Sequence, residues 1–150
     1  MKNILLLFLT LLITSCSQVT PIKKEDSTSR YISKNYLNNL DFKGEELISI
    51  YLQNNYYYVR KDGKIMQTLT YENGADPFAD GLARTKVNGK IGFFNSNLDM
   101  VLKPIYDFAF PFYKGKAEIC MGCKEKMEEG VAILTGGKWK KIDRKGLVIE

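Results

Sequence analysis

The sequence predicts an all-β fold, a meander of short antiparallel strands built from two to three copies of one β repeat. Three observations predict it. The first is a phrase written twice: Ala75-Asp76-Pro77-Phe78-Ala79-Asp80-Gly81-Leu82-Ala83 and Ala109-Phe110-Pro111-Phe112-Tyr113-Lys114-Gly115-Lys116-Ala117 agree at five of nine positions, 34 residues apart. Self-similarity at a spacing of about 20–50 residues marks a stacked-repeat architecture. The second is the turn chemistry. Asn88-Gly89 separates LARTKV (82–87) from KIGFFN (90–95), and Asp62-Gly63 separates YYYVR (56–60) from KIMQTLT (64–70). Such dipeptides between alternating runs signal tight hairpins. The third is composition. Tyr (9) and Phe (8) are plentiful in 150 residues, and no convincing helical period follows residue 45.

At the amino end, Met1-Lys2-Asn3 precedes an apolar run from Ile4 to Ile13 broken only by Thr10. The run is shorter than the roughly 20 residues a bilayer span needs, but it suits the core of a secretory signal. Ile13-Thr14-Ser15-Cys16 then resembles the lipobox of bacterial lipoproteins. That resemblance implies removal of residues 1–15 and acylation of Cys16. The protein would then sit on the cell membrane or outer membrane, facing periplasm or exterior, with the lipidated Cys16 as its membrane contact. Ser17, where an Asp would suggest inner-membrane retention, permits an outer-membrane address. Residues 16–30 are polar and predict a flexible tether. Residues 31–46 predict a linker or short helix, with Ile32, Tyr36, Leu37 and Leu40 at helical spacing. The β-repeat domain is expected over 47–150.

Within that domain LISIYL (47–52) opens the strands. MVLK (100–103) follows a turn at Ser96-Asn97, and KAEIC (116–120), GKWKKID (137–143) and LVIE (147–150) complete them. The Asn88-Gly89-Lys90-Ile91 stretch answers to Gly136-Gly137-Lys138-Trp139 at an offset of 48, so the second copy carries a 14-residue insertion between Ala117 and Gly137. It is expected to be a loop. YYYVRKDGKIM (56–66) reads as an earlier, worn half-copy.

Phe78-x-x-Gly81-Leu82-Ala83, then Asn88-Gly89-Lys90-Ile91-Gly92-Phe93, then Pro104-x-Tyr106-Asp107 together resemble the bacterial WG-repeat proteins. Ile91 stands where that family's name-giving Trp is usual, and Lys140 where the Gly after Trp139 is usual. The resemblance spans about residues 56–150. It implies short β-strand repeats, often on exported or lipid-anchored proteins, and no established reaction. Similar cysteine pairs within such insertions favour a structural role for Cys120 and Cys123.

Repeat chemistry follows from the residues. Phe78 and Phe112 are expected to fill equivalent layers, at roughly 1.5–3 kcal/mol per buried ring. Gly81 and Gly115 are expected at positive φ, and Ala83 and Ala117 in a tight inner layer. Pro77 and Pro111, lacking an N–H, suit strand starts or edges. One repeat cannot bury its own apolar face, and its neighbour must.

The candidate chemistry is sparse. The chain has no His, which removes Ser-His and Cys-His nucleophile pairs and histidine metal sites. Its net charge of +5 comes from singly scattered Lys residues, so no nucleic-acid partner is expected. Cys120-Met121-Gly122-Cys123 allows a redox pair, half a zinc site or a structural disulfide. Zinc wants four ligands and the supply is short. A thioredoxin-type pair wants a helix amino terminus, and this pair follows a strand. Gly122 suits a type II turn whose disulfide would close a hairpin tip. No metal, cofactor or catalytic residue is expected. The expected binding surface comprises Met121, Lys124, Lys126, Tyr57 and Trp139, facing an envelope protein or cell-wall partner. The expected role is a non-catalytic binding or scaffolding module; a thiol–disulfide oxidoreductase using Cys120 and Cys123 is the alternative.

Overall fold

A computed structural model describes residues 22–24 and 30–149. The expected signal peptide, Cys16 and most of the expected tether lie outside the described residues. The elements run β1 (Ile22–Lys24), β2 (Arg30–Ile32), α1 (Lys34–Leu37), β3 (Leu47–Leu52), β4 (Asn55–Arg60), β5 (Lys64–Thr68), β6 (Thr70–Tyr71), β7 (Gly74–Ala75), β8 (Leu82–Val87), β9 (Lys90–Asn95), β10 (Met100–Tyr106), β11 (Phe108–Ala109), β12 (Lys116–Glu128) and β13 (Val131–Asp143). The fold is nearly all β, and its ladders are antiparallel.

Three sheets stack in chain order. The first has strand order β1-β2-β5-β4-β3, the second β10-β9-β8, the third β11-β12-β13. The short ribbon β6–β7 bridges the first two. Strand β1 pairs with β2, and β2 with β5, so the first sheet begins ahead of residue 47. The short helix α1 lies in the 31–46 stretch.

The middle sheet is buried on both sides because side chains alternate along a strand. Phe93 and Phe94 are neighbours on β9, both fully buried, yet they enter different cores. Phe94 joins Ala83 and Leu98 against Leu47, Tyr58 and Met66 of the first sheet. Phe93 joins Leu82, Ile91 and Tyr106 against Phe112 and against Ala117, Ile119 and Ile142 of the third. Each sheet thus covers its predecessor, as the repeat argument requires.

Local turns repeat with the sheets. Asn95 Oδ1 accepts from the N–H groups of Asn97 and Asp99, and Asp143 Oδ1 accepts likewise from Lys145 and Leu147. This recurrence has the same offset of 48 that aligned the two copies.

One expectation is corrected. The insertion is not a loop. Strands β12 and β13 are each 13 residues long and stay paired out to Glu128↔Val131. Glu129 and Gly130 turn the chain at φ 51° and 81°, matching Asn88 and Gly89 at 50° and 80°. The insertion therefore lengthens an existing hairpin into an arm. Interspersed Lys and Glu concealed its alternation.

Candidate functional site

The base of the arm gathers the chain's distinctive chemistry. Cys120 and Cys123 are disulfide-bonded, with Cα atoms 6.0 Å apart. The bridge does not close a hairpin tip as the type II turn implied. Both cysteines lie on β12, where Cys120 faces Trp139 and Cys123 faces Gly136 across the ladder, and five more pairs follow. Gly122, Gly136 and Gly137 all sit at positive φ, so both strands kink at the bridge. The sulfurs occupy the space a side chain at Gly137 would need. A Cβ there would lie 2.6 Å from Cys120 Sγ and 2.7 Å from Cys123 Sγ. Only glycine fits this position.

Asp107, the last residue of the Pro104-x-Tyr106-Asp107 motif, ties this base to the first repeat. Its carboxylate accepts the Gly122 N–H at 2.5 Å and pairs with Lys90. The hydrogen bond from Lys90, followed by that from Gly122, holds the Asp107 carboxyl below its ordinary pKa. Both disulfide cysteines are buried, Cys120 fully. They lie in mid-strand with no helix amino terminus to lower a thiol pKa.

Beyond the bridge the arm is exposed. Lys124 and Lys126 point into solvent, Lys126 pairing with Glu128. Met127 and Val131 at the tip are more than 60% exposed. Between the arm and the first repeat lies an open cleft of about 280 Å³, lined among others by Lys86, Ile91, Asp107, Cys123, Glu125 and Leu134. Among the described residues, no group of three or more His, Cys, Asp or Glu converges to hold a metal.

The predicted surface residues separate. Met121 and Trp139 are exposed, with Lys124 and Lys126. Tyr57 is a correction: it is buried in the first core with Ile32, Val59 and Ile65. Its strand is covered on both faces, because Tyr58 packs on Phe78 and Phe94 from the other side. Trp139 instead belongs to an open aromatic cluster. Its ring lies 6.0 Å from both Phe108 and Phe110, which are 5.0 Å apart.

The repeat residues occupy equivalent places. Ala83 and Ala117 are buried. Phe78 and Phe112 fill successive layers, Phe112 stacking edge-on against Phe93 at 4.9 Å. Pro77 and Pro111 lie in the irregular stretches before the turns. Asp80-Gly81 and Lys114-Gly115 are matching turns with positive φ at both residues. The copies also touch there, the Gly115 N–H donating to Asp80 Oδ2 at 2.7 Å.

Sequence reasoning missed one feature. Asp76 is fully buried and grips Arg84: Oδ2 accepts from Nε at 3.0 Å and from the Arg84 backbone N–H at 2.9 Å, and Oδ1 accepts from Nη2 at 2.5 Å. Arg84 Nη1 donates to the Ala109 carbonyl at 2.9 Å, where the second copy of the phrase begins. The signal available was Asp76 itself, a charge at the second position of the phrase where the other copy has Phe110.

Residues 67–90 and 91–124 match the family model described as WG containing repeat. Those stretches carry two WG-type β repeats, and the second ends at the base of the arm. Neither the curated proteins nor the solved structures include a match to this chain.

Proposed function

We propose that this protein is a lipid-anchored, extracytoplasmic binding or scaffolding module of the cell envelope, without catalytic activity, whose partner contact is the β12–β13 arm. The observation that carries the reading is the arm's construction. A two-stranded ribbon is marginal alone in water, yet this one leaves Met127 and Val131 exposed at its tip. Its base is braced by the Cys120–Cys123 bridge and by Asp107. A braced, exposed ribbon on a rigid repeat stack suits contact with a partner. The anchor rests on the Ile13-Thr14-Ser15-Cys16 stretch. The oxidoreductase alternative is disfavoured by the burial of both cysteines.

The test places a photo-crosslinking residue at Met127 in the full chain in its native cell, beside a variant whose residues 124–135 are replaced by a two-residue turn. The expected result is one discrete envelope adduct from the acylated chain, which co-produced probe-free wild type reduces and the shortened variant does not, while Cys16→Ala abolishes the acylation. No adduct from a correctly acylated, folded chain would overturn the reading.

A further inference from the structure

We infer that the Cys120–Cys123 bridge is a redox latch on the β12–β13 arm, opened by thiol–disulfide exchange with an incoming dithiol. What the latch regulates rests on the reading of the arm as the partner contact; the latch itself is a property of this chain alone. The two cysteines stand three residues apart on one strand. In a regular strand such residues point to opposite faces, with Cα atoms about 10 Å apart at roughly 3.3 Å per residue. Here the Cα atoms are 6.0 Å apart. The bridge therefore holds β12 shortened and bent. The bend falls on glycines. Gly122 and Gly137 lie between the pairs Met121↔Lys138 and Cys123↔Gly136, and Gly122, Gly136 and Gly137 have φ of 82°, 68° and 73°. Glycine takes positive and negative φ about equally readily, so these positions form a hinge that does not fix its own angle. The bridge clamped across it does.

A latch needs something to release and a way to be reached. Beyond the hinge the arm has its outer cross-strand pairs and an exposed tip, and a two-stranded ribbon is marginal in water by itself. Its order depends on how its base is held. With the bridge cut, Asp107 still holds the Gly122 N–H, but through a hydrogen bond that water competes for. Closing so short a loop constrains the unfolded chain little, so the bridge acts on the arm rather than on the whole fold. The open cleft of about 280 Å³ beside the arm supplies the approach, being lined by Cys123 and not by Cys120. Cys123 is 7% exposed, while Cys120 is fully buried. A thiolate of the dithiol attacks Cys123 Sγ, the Cys120–Cys123 bond breaks, and Cys120 leaves as a thiolate that takes up a proton. The dithiol's second thiolate then attacks the dithiol's own sulfur in the mixed disulfide, and Cys123 leaves and is protonated. Two electrons and two protons pass to the bridge, and the dithiol departs as a disulfide. Burial denies this pair the repeated turnover of an oxidoreductase, but a latch needs a single exchange.

The test uses the full chain extracted in mild detergent, with hydrogen exchange read by mass spectrometry before and after treatment with dithiothreitol, a dithiol. A thiol count on the same samples shows whether the bridge is open. The expected result is that amides of residues 124–135 exchange about tenfold faster or more once it is open, while those of β8 and β9 keep their protection. The Cys120→Ser/Cys123→Ser variant shows the fast arm without dithiothreitol and does not respond to it. In folded single-cysteine variants, Cys123 left by Cys120→Ser reacts with an aromatic disulfide reagent about tenfold faster or more than Cys120 left by Cys123→Ser, with peptide mapping to place the adduct. The inference is overturned by a bridge that dithiothreitol leaves closed in the folded chain, by an open bridge with arm exchange unchanged, or by a Cys120 that reacts as fast as Cys123. Loss of protection in β8 and β9 together with the arm also overturns it, since the bridge would then support the whole fold. None of these results bears on the arm's partner, which the crosslink at Met127 reports separately.

Discussion

Breaking the Asp76–Arg84 pair should cost more stability than any other single polar change in this chain. Asp76 is fully buried and Arg84 is 8% exposed. Asp76→Asn keeps the shape but removes the countercharge and turns one acceptor oxygen into an NH2 donor facing the guanidinium, which stays sealed between two repeats. Removing one partner of a buried pair costs about 3–5 kcal/mol, since the remaining charge stays desolvated. For a domain of this size that corresponds to a melting temperature lower by about 10–20 °C. Urea unfolding followed by circular dichroism measures it, with an unchanged m-value showing that the same surface unfolds. Arg84→Met should be comparably costly, and the paired Asp76→Leu/Arg84→Met change should fall short of the sum by about 2 kcal/mol or more. A loss below about 1 kcal/mol for Asp76→Asn, or strict additivity, would refute the claim that this pair locks the repeats together.

Two further outcomes follow from the base of the arm. Gly137→Ala should destabilise by about 2 kcal/mol or more, because a Cβ there meets both bridge sulfurs and φ is +73°; it should also speed reduction of the bridge by dithiothreitol, and a bridge as resistant as wild type would contradict this packing. Asp107 titrates below its ordinary value of 3.8 in the folded chain, so its stabilising contribution is full above that value and is lost as pH falls through the lower folded pKa. Asp107→Asn should therefore lower stability at neutral pH and flatten the acid limb of the stability curve, and an acid limb parallel to wild type would rule this out.

Local rules made most of the fold legible. Strands β8 and β9 were bounded to the residue by alternation and by Asn88-Gly89, because a two-residue turn with positive φ at both positions is encoded within a few residues. The same rules extended only part of the way into the insertion. Lys124 through Glu128 carry charge on one face and an apolar residue only at Met127 on the other, so an arm paired with nothing but itself resembles a loop. Tyr57 failed for the opposite reason. An exposed and a buried tyrosine look alike until the sheets covering β4 are in place.

Taken alone, the sequence determined most of the repeat's strands, the hairpins at Asp62-Gly63 and Asn88-Gly89, the two aligned copies of the repeat and the availability of a cysteine pair, all properties of short segments. Only the tertiary structure decided that Phe93 and Phe94 serve different cores and that the bridge braces mid-strand against Gly137. It also decided that Asp76 and Arg84 form a buried lock between copies, and that Trp139 lies open where Ile91 is covered. Those facts depend on which sheet lies against which face. Burial is set by neighbours distant along the chain, and no local pattern contains them.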